Sequence, residues 1–232
     1  MTYVLAIGDR AYSSWSLRGW LAFARFEIPV TVRIGRLYSP DIRATLAQEF
    51  GGAETVPALR IEDDGPPALL WDTLAIAETL AERHPEAALW PAPLPARAMA
   101  RTLAAEMHSS FSALRSACPM NLRRSYRGFV PGEGVQADLA RIEALWTLAR
   151  AAHDEEGPWL FGTYSLADAF FAPVAARVAT YGLPMGTAAM DYVAAHLADP
   201  AFLAWRREGL ADPFVQEHYD LDLPERPWPG PA

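Results

Sequence analysis

The sequence predicts an α/β layer followed by an all-α bundle, on three observations. Strand and helix patterns alternate over the first 83 residues, four prolines then break any periodicity between His84 and Ala96, and helical spacing runs from Ala96 to about Leu210. In chain order, Tyr3 to Ile7 is a continuous apolar stretch of strand length, and Leu17, Trp20, Leu21 and Ala24 follow it at helical spacing. Pro29 to Ile34 alternates Val30, Val32 and Ile34 as a half-buried strand does, and Pro40 with Asp41 opens a second helix that fades at Gly51 and Gly52. Ala58 to Ile61 and Ala68 to Trp71 flank the turn sequence Asp63-Asp64-Gly65-Pro66-Pro67, which reads as a β-hairpin. A helix from Thr73 to Arg83 closes the unit.

The order βαβαββα is that of a thioredoxin-like domain, although other small α/β layers share it. The expected organisation is residues 1–83 for that domain, 84–95 for an extended linker, 96–220 for an all-helical domain and 221–232 for a proline-rich tail. Within the helical region, stops are expected at Pro119, Gly132, Gly157, Gly182 and Pro200.

Composition narrows the function classes. Of 232 residues 51% are apolar and 21% charged, enough to bury a core, and 20 Lys plus Arg against 28 Asp plus Glu give a net charge of −8. That balance disfavours nucleic acid and anionic membrane as partners. The opening MTYVLAIGDRAYSSW lacks the basic lead of a signal peptide, and no run approaches the ~18 apolar residues of a membrane span. Cys118 is the only cysteine, which excludes an intrachain disulfide and a cysteine-built zinc site, so the cytoplasm is the expected compartment. His84, His153, His196 and His218 fall in linker, helix-end or tail contexts without metal-ligand spacing; they are expected to be solvated, and no metal is expected.

Three short segments carry chemistry. Ala11-Tyr12-Ser13-Ser14-Trp15-Ser16-Leu17-Arg18 joins the first strand to the first helix and sets hydroxyls at a helix N-terminus, where partial positive charge favours an anion by about 0.3–1 kcal/mol. A hydroxyl hydrogen bond to a charged acceptor adds roughly 1.5–3 kcal/mol. Together they match the roughly 2.7 kcal/mol that lowers a thiol pKa by about two units. The same serines also suit a plain helix cap. In Glu54-Thr55-Val56-Pro57 a proline stands at the start of a strand, with either a cis or a trans bond before it. Asp72 and Thr73 open the third helix, where Asp72 either caps or faces a cationic ligand group.

Ser-Ser-x-Ser-x-Arg over residues 13–18, Val56-Pro57 before the third strand and Asp72-Thr73-x-Ala75-Ile76 on the third helix resemble the glutathione-binding domain of serine-type cytosolic glutathione transferases. Phe161 to Ala169 is similar to that family's buried capping box, with Ser165 and Asp168 as its reciprocal partners. The serine cluster is nearest to zeta-like and related bacterial members, with Trp15 standing where the zeta-like pattern has a cysteine. That substitution puts maleylacetoacetate-type isomerisation in question and removes thiol chemistry from the helix start.

The resemblance implies glutathione as co-substrate, no metal or redox cofactor, and a homodimer. Thr55, Val56 and Pro57 would hold the cysteinyl backbone, and Asp72 and Thr73 the γ-glutamyl end. Ser13, or Ser14 if the helix starts one residue later, would hold the sulfur as thiolate. A small electrophile would lie against the helix beginning near Ala96, on Met107, His108, Phe111 and Arg115; an arginine reaching the cleft, from Arg115, Arg123 or Arg124, would favour an acidic one. The reaction implied is conjugation or glutathione-dependent isomerisation. The alternative is a non-catalytic binding or scaffold protein of the same fold. Cys118 is expected to be an inert buried thiol.

Overall fold

The computed structural model describes residues 1–153 and 156–231; Asp154, Glu155 and Ala232, which fall within the expected helical domain and tail, lie outside the described residues. The N-terminal unit runs β1 (Thr2–Ile7), α1 (Ser14–Ala24), β2 (Thr31–Ile34), α2 (Pro40–Glu49), β3 (Ala58–Glu62), β4 (Ala68–Trp71) and α3 (Thr73–Arg83). The sheet order is β2-β1-β3-β4, with β1 parallel to β2, antiparallel to β3, and β3 antiparallel to β4. This is the mixed four-stranded sheet of a thioredoxin-like domain.

Strand alternation sorts the helices onto two faces. Tyr3, Leu5, Ile7, Leu59 and Ile61 pack with Leu17 and Leu21 of α1 and Ile76 and Leu80 of α3, whereas Val4, Ala6 and Ala58 pack with Ile42 and Leu46 of α2. Because β1 is covered on both sides, its sequence is apolar without alternation. The edge strand β2 is short and largely exposed, and begins at Thr31, two residues after Pro29.

The helical region holds α4 (Leu94–Ser109), α5 (Ser112–Ala117), α6 (Glu133–Ala152), α7 (Leu166–Tyr181), α8 (Thr187–Ala198) and α9 (Pro200–Ala211). α7 is its axis: all of its residues are buried, and it packs on α1, α4 and α8. At its N-terminus the capping box is present, and the Asp168 carboxylate accepts from Ser165 N at 2.8 Å, Ser165 Oγ at 3.0 Å, Leu160 N at 3.1 Å and Tyr192 Oη at 2.8 Å.

Two expectations change. The helix read as continuing from Ala96 through Arg115 breaks at Ser110 and Phe111, where Phe111 takes a left-handed conformation with φ 65°. The Arg115 guanidinium folds back onto the carbonyls of Met107, His108 and Ser110, which satisfies acceptors left open at the C-terminus of α4. Met107 and His108 therefore do not share one helix face with Phe111 and Arg115. His196 is not solvated: it is 1% exposed between Trp159 and Tyr192, and burial pulls its imidazole down to about 3. His84 is half-buried and hydrogen-bonded to Tyr3 Oη at 2.8 Å.

No helix among the described residues is long and apolar enough to cross a membrane. The segment that follows α9, the C-terminal tail of the structure from Asp212 on, crosses back over the N-terminal unit: Gln216 Nε2 donates to Leu37 O at 3.3 Å, and Asp212 pairs with Arg36 at 2.5 Å.

Candidate active site

The N-terminus of α1 is built by three serines with different partners. Ser13 is the N-cap: its Oγ accepts from Ser16 N at 3.3 Å and donates to Ser16 Oγ at 2.7 Å. Ser16 Oγ in turn accepts from Gly8 N at 3.0 Å, so the loop from β1 is fastened to the helix it feeds. Ser14, in the first turn, accepts from Arg177 Nη2 at 3.4 Å, which leaves its own hydroxyl proton to donate. Both Ser13 and Ser14 line a cavity of about 400 Å³ that also meets Tyr12, Trp15, Leu37, Tyr38, Thr55, Val56 and Tyr219.

The opposite wall is the Thr55–Val56 edge, followed by a cis Val56–Pro57 bond. α1 can approach this edge because Gly19 has no side chain: a Cβ there would lie 2.7 Å from Pro57 Cγ.

Thr55, Val56 and Pro57 also line a second cavity of about 320 Å³, with Trp15, Asp72, Thr73 and His108. Asp72 caps α3 through Oδ1, which accepts from Leu74 N at 2.8 Å, and its Oδ2 lies 3.1 Å from His108 Nε2. Thr73 Oγ1 lies 3.4 Å from His108 Nδ1. The positive φ of Asp72, 93°, is a backbone conformation that costs a non-glycine residue on the order of 1–3 kcal/mol, at a residue that lines the cavity. Burial pushes the His108 imidazole below its ordinary value; Asp72 opposes this, and Arg18 and Arg115 add to it. A neutral ring with Nε2–H toward Asp72 and Nδ1 toward the Thr73 hydroxyl satisfies both contacts and leaves the carboxylate charge uncancelled.

Trp15 is the partition between the two cavities. The Arg18 guanidinium stacks on its ring at 4.5 Å, that of Arg115 at 4.8 Å, and the His108 ring meets it edge-on at 5.1 Å. Over the first cavity stands Tyr219 from the tail, with its Oη 2.9 Å from Tyr38 Oη and its ring 5.2 Å from Tyr12.

Of the residues singled out from the sequence, Ser13, Ser14, Thr55, Val56, Pro57, Asp72, Thr73 and His108 line the two cavities. Met107 and Phe111 do not: they are 0% and 5% exposed in the core. Arg115 acts on the site through Trp15. Arg123 donates to the carbonyls of Gly209 and Asp212, and Arg124 pairs with Asp220 and Glu225, so both fasten the tail. Cys118 is fully buried and its thiol is pushed up to about 12, mainly by burial, which makes it inert.

Sequence reasoning missed Trp15 as a wall, Tyr38, Tyr219 and Arg177. A Tyr in a polar tail and an Arg in an apolar helix carry no pattern that marks them; the Arg inside Ala175-Ala176-Arg177-Val178 is the nearest to a signal, being a charge on an all-buried helix. Among the described residues, no group of three or more His, Cys, Asp or Glu side chains is placed to hold a metal.

With that geometry in place, comparisons with known proteins are specific. The family model for the N-terminal domain of glutathione S-transferase matches residues 12–83. A crystal structure of maleylacetoacetate isomerase from Anaeromyxobacter dehalogenans 2CP-1 is 30% identical with a TM-score of 0.64, covering 88% of this chain and 94% of that one. A structure of the same isomerase with glutathione bound in its active site aligns at 27% identity and TM-score 0.63 over 96% of this chain and 98% of that one. A Burkholderia glutathione transferase homologue with bound glutathione shares the fold at 24% identity and TM-score 0.65, over 91% and 99%. No curated protein matches the sequence.

Proposed function

The chain belongs to the glutathione transferase family, and on that premise we propose that it binds glutathione across the two cavities, ionises the thiol beside Ser14 and directs it at a small electrophile. The observation that carries this reading is the juxtaposition of the Thr55–Val56 edge and the Asp72 carboxylate with the N-terminus of α1, one on each side of Trp15. The cysteinyl backbone pairs with Val56. The γ-glutamyl ammonium takes the Asp72 carboxylate, which a neutral His108 leaves negative, and Thr73 adds a hydroxyl.

The sulfur then lies at the opening turn of α1. Ser13 has its proton directed to Ser16, so Ser14 is the hydroxyl free to donate to a thiolate. Helix terminus and hydroxyl together supply about 2–4 kcal/mol, enough to hold the thiol ionised near neutral pH. Attack on the electrophile follows in the cavity under Tyr38 and Tyr219, with proximity supplying the remaining acceleration.

Conjugation and glutathione-dependent isomerisation both use this thiolate. The isomerase relatives support the second and Trp15, in place of a cysteine, the first. A homodimer is proposed from the family resemblance.

The test is calorimetric binding of glutathione to the wild type and to Asp72→Ala, with turnover measured on a panel of haloaromatic, enone and cis-enedione electrophiles. Binding lost in Asp72→Ala together with turnover of at least one electrophile is the expected result. No binding by the wild type overturns the reading, and binding without turnover of any electrophile favours the scaffold alternative.

A further inference from the structure

Arg177 is 3% exposed in the middle of α7, and its guanidinium has only neutral acceptors: Cys118 O at 2.8 Å, Pro173 O at 3.2 Å and Ser14 Oγ at 3.4 Å. Two further guanidiniums stand close by. Arg18 of α1 is 1% exposed, bonds Phe170 O through Nε at 3.0 Å, and among the described residues has no hydrogen-bond partner for Nη1 or Nη2. Arg115 of α5 stacks with Arg18 on Trp15. Among the described residues, no carboxylate is within ion-pair distance of any of the three.

A buried cation whose hydrogen-bond acceptors are neutral and which stands beside other guanidiniums is unfavourable, because burial removes water and neighbouring like charge adds repulsion. Such a cluster is relieved by an anion. The one anion the reaction itself creates is the sulfur at the first turn of α1, where Arg177 already holds the Ser14 oxygen.

We propose that Arg177 is a positioning residue for the thiolate: reaching across from the helical domain, it fixes Ser14 by an oxygen lone pair, turns the hydroxyl proton toward the sulfur and supplies a buried counter-charge behind that hydroxyl. The proposal rests on the reading that glutathione binds here. In the step concerned the S–H bond breaks, the proton leaves to solvent, the electron pair stays on sulfur, and Ser14 O–H donates to it. The groups facing Arg177 are Arg115, which disfavours its charge, Arg18, a like charge that Arg177 in turn disfavours, and Tyr181, Cys118 and Tyr219, which favour it. Burial and Arg115 pull the guanidinium down to about 10, so it stays charged at neutral pH.

The experiment titrates bound glutathione by the ultraviolet absorbance of its thiolate in wild type, Arg177→Lys and Arg177→Met, and measures the affinity of S-methylglutathione, which has no ionisable thiol. Arg177→Met is expected to raise the bound thiol pKa by about one unit, a tenfold loss of thiolate on the acid side. Arg177→Lys should raise it by less, and S-methylglutathione affinity should be unchanged in both. A wild-type thiol pKa in Arg177→Met overturns the proposal, as does weakening of both ligands alike with no change in thiol pKa. Should Arg177→Met fail to fold, Arg177→Lys decides: a raised pKa supports the proposal, and an unchanged one overturns it. Glutathione binding with an insensitive thiol removes this inference alone, whereas a wild type that binds neither ligand removes the glutathione reading with it.

Discussion

Adjacent serines at one helix start have the same chemistry and different surroundings, and the proposed function gives them different work. Ser13 holds Ser16 and caps α1; among the described residues, the Ser14 hydroxyl is hydrogen-bonded to Arg177. Ser13→Ala should lower stability by about 1 kcal/mol in chemical denaturation while the bound thiol still ionises. Ser14→Ala should lower kcat by about 10²-fold in a conjugation assay with little change in melting temperature. His108 adds a pH dependence with a definite sign. Its pKa lies below the ordinary histidine value, so acid converts it into a cation beside Asp72 that competes with the ligand ammonium. Glutathione affinity should therefore fall as pH drops below the ordinary histidine range, and calorimetric titration of His108→Gln across the acid range should show a flatter acid limb.

At the scale of elements, much of the chain was legible because local pattern and tertiary environment agree. Strand patterning, the Asp63 to Pro67 turn, and the helix openings at Pro40-Asp41 and Asp72-Thr73 predict β1 to α3 within one or two residues at most boundaries. The break between α4 and α5 was not legible, since apolar spacing continues unbroken through Phe111 and Leu114 while the chain takes a left-handed turn that Arg115 stabilises from a distance. Arg177 and Tyr219 escaped notice for a related reason. What brings each to the candidate site is a neighbour more than 150 residues away in sequence for one, Ser14, and the tail's return path for the other.

Two elements yield measurable consequences. Asp168→Ala leaves Leu160 N, Ser165 N and Tyr192 Oη without their acceptor, each omission costing about 1–3 kcal/mol, and should produce a large fall in melting temperature. His196 of α8 takes up its proton only near pH 3 when folded, against about 6.5 when unfolded. The unfolded state thus binds more protons between those values, so stability falls with acidification by up to about 1.4 kcal/mol per pH unit. A stability profile of His196→Phe should be less steep over that window.

Across the whole molecule, the core is not divided where the chain is. Tyr3, Leu5 and Leu59 of the sheet, Leu17 and Leu21 of α1, and Phe170, Phe171 and Trp205 of the helical region form one continuous apolar cluster. Trp205 Nε1 also donates to Arg10 O, and Leu122 N to Ala11 O, at 2.8 Å and 2.9 Å. Calorimetry should accordingly record a single endotherm for the chain. Saturating glutathione at a hundred times its dissociation constant should stabilise that one transition by about 2.7 kcal/mol.

Continuity of the core makes α1 a common wall, with the proposed glutathione site at its tip and α7 along its flank. Occupancy of the tip then tightens amides that never meet the tripeptide. A deuterium footprint of the liganded protein should extend through Phe170 to Tyr181, so that slowed exchange deep in the bundle would report a binding event at its far border.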